Sequence, residues 1–184
     1  MTLPRGFKAK AERDAAQLRS TLGLGPASNL DVVALAEHLD VRVVDAAELI
    51  ERERLEELER LQAFAFSAAT FRVAGRSVIV TNPLRTPARR ASDIAHELAH
   101  VLLEHDLSEV RKLDGITFRT CEPGEEEQAT AFGGTLMLPR PLLLAAAKRG
   151  LGPDAIAETY GVTPEMARYR YNTTGVAKQV HPRG

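Results

Sequence analysis

The segment Asp93–Val101 constrains this chain more than any other, because it combines helical periodicity with a metal-ligand spacing. His96 and His100 are four residues apart, so on a helix both imidazoles lie on one face, one turn apart, and can reach a single ion. Glu97 lies beside that face, where its carboxylate can hydrogen-bond a water molecule at the ion. This HExxH pattern is typical of helices that bind Zn²⁺ through two histidines and use the glutamate as general base.

Two of the five histidines of this chain could also fall four residues apart by chance, with no ion between them. The neighbouring residues argue against that alternative. Between Ala95 and Leu103 the only Asp, Glu, Lys or Arg is Glu97. A buried, ionised glutamate costs several kcal/mol unless something compensates its charge. A bound metal ion supplies that compensation, so we predict a metal site.

Composition limits the class of protein. A length of 184 residues, 44% of them hydrophobic, suits one compact domain with a small appended module. The formal net charge of -1 gives no general attraction to nucleic acid or anionic membrane. The single cysteine, Cys121, excludes an internal disulfide and fits a reducing compartment. The first residues lack the apolar core of a signal peptide and no apolar run approaches a membrane span, so we expect a cytoplasmic protein.

Apolar periodicity predicts helices on both sides of a group of short strands. The predicted strands are 41–44 and an antiparallel meander of 63–66, 70–73 and 77–81. A loop region with an extended piece at 116–118 is expected over 106–123. The predicted helices are 8–23, one that Asn29 or Asp31 caps and that ends at His38, 46–61, the metal helix from Thr86 to about Glu104, one from Pro123 to about Pro139, 140–149, 153–160 and 164–173.

A tetrahedral zinc held by two histidines needs a third protein ligand and a water. The helix after Gly124 offers one, because Glu126 begins a helical face that continues with small and apolar residues, Ala129, Phe132, Gly133, Leu136 and Met137. Such a face can pack closely against the HExxH helix with Glu126 directed at the ion. Glutamates in a first turn also meet the helix dipole favourably, so Glu125, Glu126 and Glu127 could serve only that purpose. Among the three we favour Glu126 as the ligand.

Other residues fit the third position less well. In the metzincin pattern HExxHxxGxxH, Leu103 stands in place of the glycine and Asp106 in place of the third histidine. Glu104 cannot share an ion with both histidines, because a helix rises about 6 Å every four residues. His105 is expected to support another ligand or to lie at the surface. Cys121 is an alternative ligand, although a lone cysteine is more often a small buried hydrophobe.

The chain resembles the ImmA/IrrE family of zinc metallopeptidases in three segments that occur in the family's order. They are the strand Val78–Asn82, the motif His96–His100 and the segment Glu126–Pro139, which is similar to the family's E-x-x-A-x-x-F-A-x-x-L-L-M-P. HExxH alone is moderately specific, whereas the motif and the last segment together are highly specific. The resemblance covers roughly residues 30–175.

Four positions depart from the family pattern, and none of them is a ligand. Gly133 replaces the usual alanine, and Met137-Leu138 replaces the usual Leu-Met order. Gln128 stands where many members carry a second glutamate, which favours Glu126 as the ligand.

The resemblance implies an α+β, zincin-like fold with a small antiparallel sheet, the HExxH helix and a C-terminal helical segment. We divide the chain into an N-terminal helix at 1–29, the metallopeptidase core at 30–140, a helix-turn-helix-like extension at 141–175 and a tail at 176–184. The tail is expected to be frayed.

Members of the family cleave helix-turn-helix transcriptional repressors, so the resemblance implies a zinc-dependent endopeptidase whose substrate is such a repressor, encoded nearby. His96, His100 and Glu126 would hold the Zn²⁺, and Glu97 would act as general base. The substrate is expected to pair with an edge strand, for which 77–81 is the candidate because it leads directly into the metal helix. Candidates for stabilising the oxyanion are Tyr160, Tyr169, Arg170 and Tyr171, and the sequence selects none of them.

Two alternatives to proteolysis are open. Residues 156–167 have the pattern of a helix, a glycine turn and a second helix, as in DNA-binding units. Residues 148–184 hold six Lys/Arg against three Asp/Glu, which is only mildly basic, so packing on the core or contact with the protein substrate is favoured over direct DNA binding. The chain could also be a non-proteolytic, zinc-containing regulator that acts by protein or DNA binding, although the intact Glu97 argues against it.

Overall fold

The computed structural model describes residues 3–62, 66–105, 110–113, 116–119 and 122–180, and within them the chain has the predicted mixed α+β architecture. The strands are β1 (Arg42–Asp45), β2 (Ala68–Val73), β3 (Arg76–Thr81), β4 (Val110–Leu113) and β5 (Ile116–Arg119). The helices are α1 (Phe7–Thr21), α2 (Val32–His38), α3 (Arg52–Leu61), α4 (Pro87–Leu102), α5 (Pro123–Met137), α6 (Arg140–Lys148), α7 (Pro153–Tyr160), α8 (Pro164–Thr173) and α9 (Val176–Val180).

Helix α4, which carries the HExxH motif, begins where the sequence places its start. The Thr86 hydroxyl accepts a hydrogen bond from the Arg89 N–H at 3.3 Å, and Pro87 occupies the first helical position, where a missing N–H costs nothing. One face of the helix is buried in the main core through a stripe at helical spacing, Ile94, Ala95, Leu98 and Ala99. The amphipathic pattern therefore fixes which side of α4 faces the interior.

The larger sheet has the strand order β1-β3-β2. Strands β2 and β3 form the predicted antiparallel pair, whereas β1 runs parallel to β3, so the sheet is mixed rather than antiparallel throughout. The parallel pairing is possible because the connection from β1 to β3 crosses over through α3 and β2. Both edges of β3 are paired, so the prediction that strand 77–81 is an edge open to a substrate is wrong. Among the described residues β2 pairs only with β3 and is the edge strand next to it.

The predicted helix 46–61 is interrupted. Asp45 ends β1 and caps a short 3₁₀ turn at Ala46–Glu48, because its carboxylate accepts a hydrogen bond from the Ala47 N–H at 2.9 Å. The Glu48 carboxylate in turn accepts one from the Asp45 N–H at 3.2 Å. This reciprocal capping completes a turn that does not continue as helix, and α3 starts anew at Arg52.

The main hydrophobic core joins the two ends of the described chain, from Phe7 on α1 to Val176 on α9. Val176 is fully buried, so residues 176–180 form a packed helix where the sequence predicts a frayed tail. Of the two caps considered for α2, Asp31 is the one that accepts hydrogen bonds from the first turn. Among the described residues, no helix is both long enough and apolar enough to cross a membrane.

Some predictions fall on residues outside the described ranges. These are most of the strand predicted at 63–66, the first part of the loop at 106–123, Cys121 and the end of the tail at 181–184. The extended piece predicted at 116–118 lies in β5, which pairs antiparallel with β4 in a separate two-stranded sheet.

Candidate metal centre

The three predicted ligand residues meet at one point. The Nε2 atoms of His96 and His100 are 3.1 Å apart, and the Glu126 carboxylate oxygens lie 3.2 Å from the first and 3.4 Å from the second. A tetrahedral zinc-type ion with bonds of about 2.0–2.1 Å separates its ligand atoms by about 3.3–3.4 Å. All three spacings are therefore close to what one shared ion requires, and the group can hold a metal ion.

The cluster combines one deeply buried ligand with two accessible ones. The His100 side chain is 1% exposed, whereas the Glu126 side chain is 45% exposed and His96 is intermediate. Solvent thus reaches the cluster from the side of His96 and Glu126, which leaves access for a water or a substrate. Within the described part of the chain, neither Glu125 nor Glu127 belongs to a group of this kind.

Close packing of α4 against α5 brings Glu126 over the histidines. The interface contains small buried residues from both helices, Ala95, Ala99, Ala129 and Gly133. A Cβ atom added to Gly133 would lie 2.8 Å from the Ala95 carbonyl oxygen and 3.0 Å from the backbone nitrogen of His96. Because that space is filled by backbone, glycine is needed for this approach. Glu126 lies two turns earlier on the same face of α5.

Gly133→Ala is therefore expected to lower the free energy of unfolding by about 1–3 kcal/mol, because a methyl group here forces two backbones apart. Metal affinity should fall as well, since the shift moves Glu126 away from the histidines. Gly124→Ala is the matched control on α5, because its added methyl meets nothing within 4 Å. Chemical denaturation and metal titration of both variants measure the difference, and equal effects would contradict the close-approach explanation.

The Glu97 carboxylate is held by the edge strand. Glu97 is 8% exposed, and its Oε2 accepts a hydrogen bond of 2.5 Å from the hydroxyl of Thr70 on β2. Thr70 pairs with the fully buried Ile79 of β3, so it lies on the inner face of the sheet. No motif in the sequence marks Thr70 as a functional residue. A polar residue at an inward-facing position of a strand is a signal that could have marked Thr70. The sequence alone does not show that α4 crosses this strand.

Helix α4 ends in a turn that folds the chain back on His100. Glu104 adopts a left-handed conformation with φ 54°, and its N–H donates to the Val101 carbonyl at 3.2 Å. The His105 N–H donates to the His100 carbonyl at 3.1 Å, which completes the pattern of a Schellman motif. His105 therefore lies against a predicted ligand, which is one of the two positions that the sequence allows for it.

Three of the four residues considered for oxyanion stabilisation are engaged in the core. Arg170 is buried, and its guanidinium donates to the Leu138 carbonyl at 3.0 Å and to the Glu12 carboxylate at 2.6 Å. Tyr160 is a buried core residue, and Tyr171 packs against the same core. These contacts assign all three a structural role.

Tyr169 has a different environment. Burial raises the pKa of Tyr169 above its ordinary value, Arg170 lowers it and Glu127 raises it further. Glu127 follows the predicted ligand Glu126 on α5, so one of the charges that influence the Tyr169 pKa lies on the helix that carries this ligand.

The helix-turn-helix-like segment packs on α4, the helix with the HExxH motif. Gly161 ends α7 with φ 64°, and Thr163 caps α8 through its hydroxyl. The Thr163 N–H also donates to the Ser92 hydroxyl of α4 at 3.2 Å, and that hydroxyl contacts the Met166 sulfur at 3.9 Å. The turn between α7 and α8 is therefore fixed to α4 one turn before His96.

Comparison with known proteins identifies a family for this chain. The chain matches the family model described as the IrrE N-terminal-like domain, a peptidase family, over residues 36–172. That match includes the whole of α4 and α5, and with them all four residues of the predicted site. No curated protein matches the sequence at a significant level.

Proposed function

The chain belongs to the ImmA/IrrE peptidase family, and on that premise we propose that it is a zinc-dependent endopeptidase. The observation that carries the proposal is the convergence of His96, His100 and Glu126 on one point, with Glu97 beside the first histidine. Two imidazoles and one carboxylate form a donor set of catalytic zinc sites, and such a set leaves the fourth position for water. A purely structural zinc site would instead be closed by four protein ligands.

The catalytic role of this chain's own residues follows from their positions. When bound, zinc supplies a Lewis acid that polarises the scissile carbonyl and lowers the pKa of a water molecule towards 7. Glu97 takes the proton of the attacking water and passes it to the leaving amine. Thr70 restricts rotation of that carboxylate by holding Oε2, so the base keeps one orientation through both proton transfers.

Strand β2 is the proposed docking site for an extended substrate segment. It is an edge strand, and Thr70 in its middle contacts the base, so a peptide paired along this edge would pass close to Glu97. Phe71 and Val73 are 51% and 58% exposed, which offers apolar contacts to the side chains of such a segment. This assignment replaces the paired strand β3 as the substrate-binding strand.

We infer that the substrate is a helix-turn-helix transcriptional repressor encoded nearby and that cleavage takes place in the cytoplasm, where such a repressor acts. The family resemblance supports this choice. The α8 helix supports a protein partner over DNA, because both of its cations are engaged: Arg168 pairs with Asp154 at 2.8 Å and Arg170 with Glu12 at 2.6 Å. Because Arg170 is buried, α8 offers phosphate groups only Arg168, whose exposed ion pair is weak.

Metal content and its removal test the proposal. Protein purified without added metal is expected to contain about one zinc per chain, because three convergent ligands bind the ion tightly. Cleavage of the neighbouring helix-turn-helix protein should stop after chelation and return when Zn²⁺ is added. Elemental analysis and mass spectrometry of the fragments measure both effects. A folded protein without zinc, or cleavage that is insensitive to the chelator, would contradict the proposed function.

A further inference from the structure

A third histidine lies behind the predicted metal ligands. The Nδ1 atoms of His100 and His105 are 2.9 Å apart, and the two rings meet edge to face with their centroids at 5.0 Å. The other ring nitrogen of His100, Nε2, faces His96 and Glu126. Both nitrogens of this nearly inaccessible imidazole are therefore engaged, one on each side of the ring.

The backbone fixes this contact. The His105 N–H is bonded to the carbonyl of His100, the same residue whose ring the His105 side chain touches. Glu104, between them in the turn, holds the left-handed conformation that reverses the chain. A main-chain bond and a side-chain contact thus join one pair of residues, which leaves His105 little freedom to move away from His100.

An imidazole pair at this distance requires one donor and one acceptor. A neutral imidazole carries a single proton, on Nδ1 or on Nε2. If His100 kept its proton on Nε2, it would present a hydrogen instead of a lone pair to the cluster. With the proton on Nδ1 it donates to the Nδ1 lone pair of His105, and its own Nε2 lone pair faces His96 and Glu126.

We propose that His105 is a positioning residue that keeps the proton of His100 on Nδ1 and so directs the Nε2 lone pair to the metal site. The consequence for metal affinity rests on the proposed function, whereas the position of the proton does not. Hydrogen-bond partners of metal-bound histidines fix the tautomer and the ring orientation, and their loss typically weakens metal binding about 10–100-fold.

Two substitutions separate the acceptor from the volume of the side chain. Asparagine places its Oδ1 where histidine has Nδ1, so His105→Asn keeps an acceptor for the His100 proton. His105→Leu keeps a branched side chain of comparable reach but removes the acceptor. His38→Leu is the matched control for loss of a histidine, because His38 is exposed on α2 and outside the cluster.

Zinc titration of the purified apoproteins gives the first readout. The zinc dissociation constant of His105→Leu should rise about 10–100-fold, while His105→Asn should remain close to wild type and His38→Leu should not change. Nitrogen NMR of the apoproteins, at a pH well above ~6.5 where imidazoles are neutral, gives the second. It should show His100 protonated on Nδ1 in wild type and His105→Asn, and a mixture of tautomers in His105→Leu.

The outcomes distinguish this inference from the proposed function. Equal zinc affinity of the leucine and wild-type proteins, or an asparagine variant as weak as leucine, would overturn the role of His105. The role of His105 would also be overturned if the wild-type apoprotein had His100 protonated on Nε2. If wild type shows the Nδ1 tautomer and the asparagine variant preserves it but no protein binds zinc, the proton assignment is supported and the zinc-dependent function fails.

Discussion

Glu97→Gln is expected to reduce the rate of peptide cleavage by about 10²–10⁴-fold, the range that a positioned general base contributes. Glutamine keeps the size of the side chain and an oxygen that can accept the Thr70 hydroxyl, but it cannot take a proton from water. Zinc should remain bound, because Glu97 is outside the ligand group. Single-turnover cleavage of the proposed substrate, the neighbouring helix-turn-helix protein, and elemental analysis of the enzyme sample measure both quantities.

The same variant distinguishes proteolysis from regulation by binding. DNA binding should not depend on Glu97, and it should weaken steeply as the salt concentration rises, because counterion release becomes less favourable. If the chain is an endopeptidase, wild type should cleave the neighbouring helix-turn-helix protein and Glu97→Gln should not. If both leave the partner intact while the purified chain shifts promoter DNA in a salt-sensitive way, the endopeptidase proposal is wrong and the regulator alternative is favoured.

Local patterns in the sequence were sufficient to predict the two helices that carry the site, α4 and α5. The spacing of His96 and His100 places them on one face of α4, and the helical periodicity after Glu126 places that glutamate on the face that packs against α4. Thr86 and Pro87 mark the start of α4 through capping chemistry that involves only neighbouring residues. These features repeat within one or two helical turns, so periodicity can detect them.

The features that the sequence did not predict depend on pairing between distant segments. The order β1-β3-β2 makes β3 central, and nothing within residues 77–81 shows that two other strands pair with it. The contact of Thr70 with Glu97 needs the crossing of β2 and α4, which no local period encodes. The return of His105 to His100 is an exception, because it is local; the sequence left it open since it needs a left-handed Glu104, a conformation usually adopted by glycine.

The second large effect is expected at the third ligand. Glu126→Gln should weaken zinc affinity by more than the ~10–100-fold that is lost with a partner outside the ligand set, because it removes the negative charge of a residue that binds the ion directly. The Glu126 oxygens lie 3.2 and 3.4 Å from the two histidine nitrogens, so a neutral amide oxygen would replace a charged donor at the shared ion. Competition with a chromophoric chelator measures the dissociation constant.

Glu125→Gln provides the control, because Glu125 also lies in the first turn of α5 and undergoes the same chemical change outside the ligand group. If its only role is to meet the helix dipole, the variant should bind zinc as wild type does and lose about 0.3–1 kcal/mol of stability. Glu126→Gln should show a comparable small loss in the apoprotein and a much larger one in the presence of zinc, because bound metal stabilises only the folded chain that has intact ligands. Equal zinc affinities for the two variants would show that Glu126 acts on the dipole alone and that the third ligand is another residue.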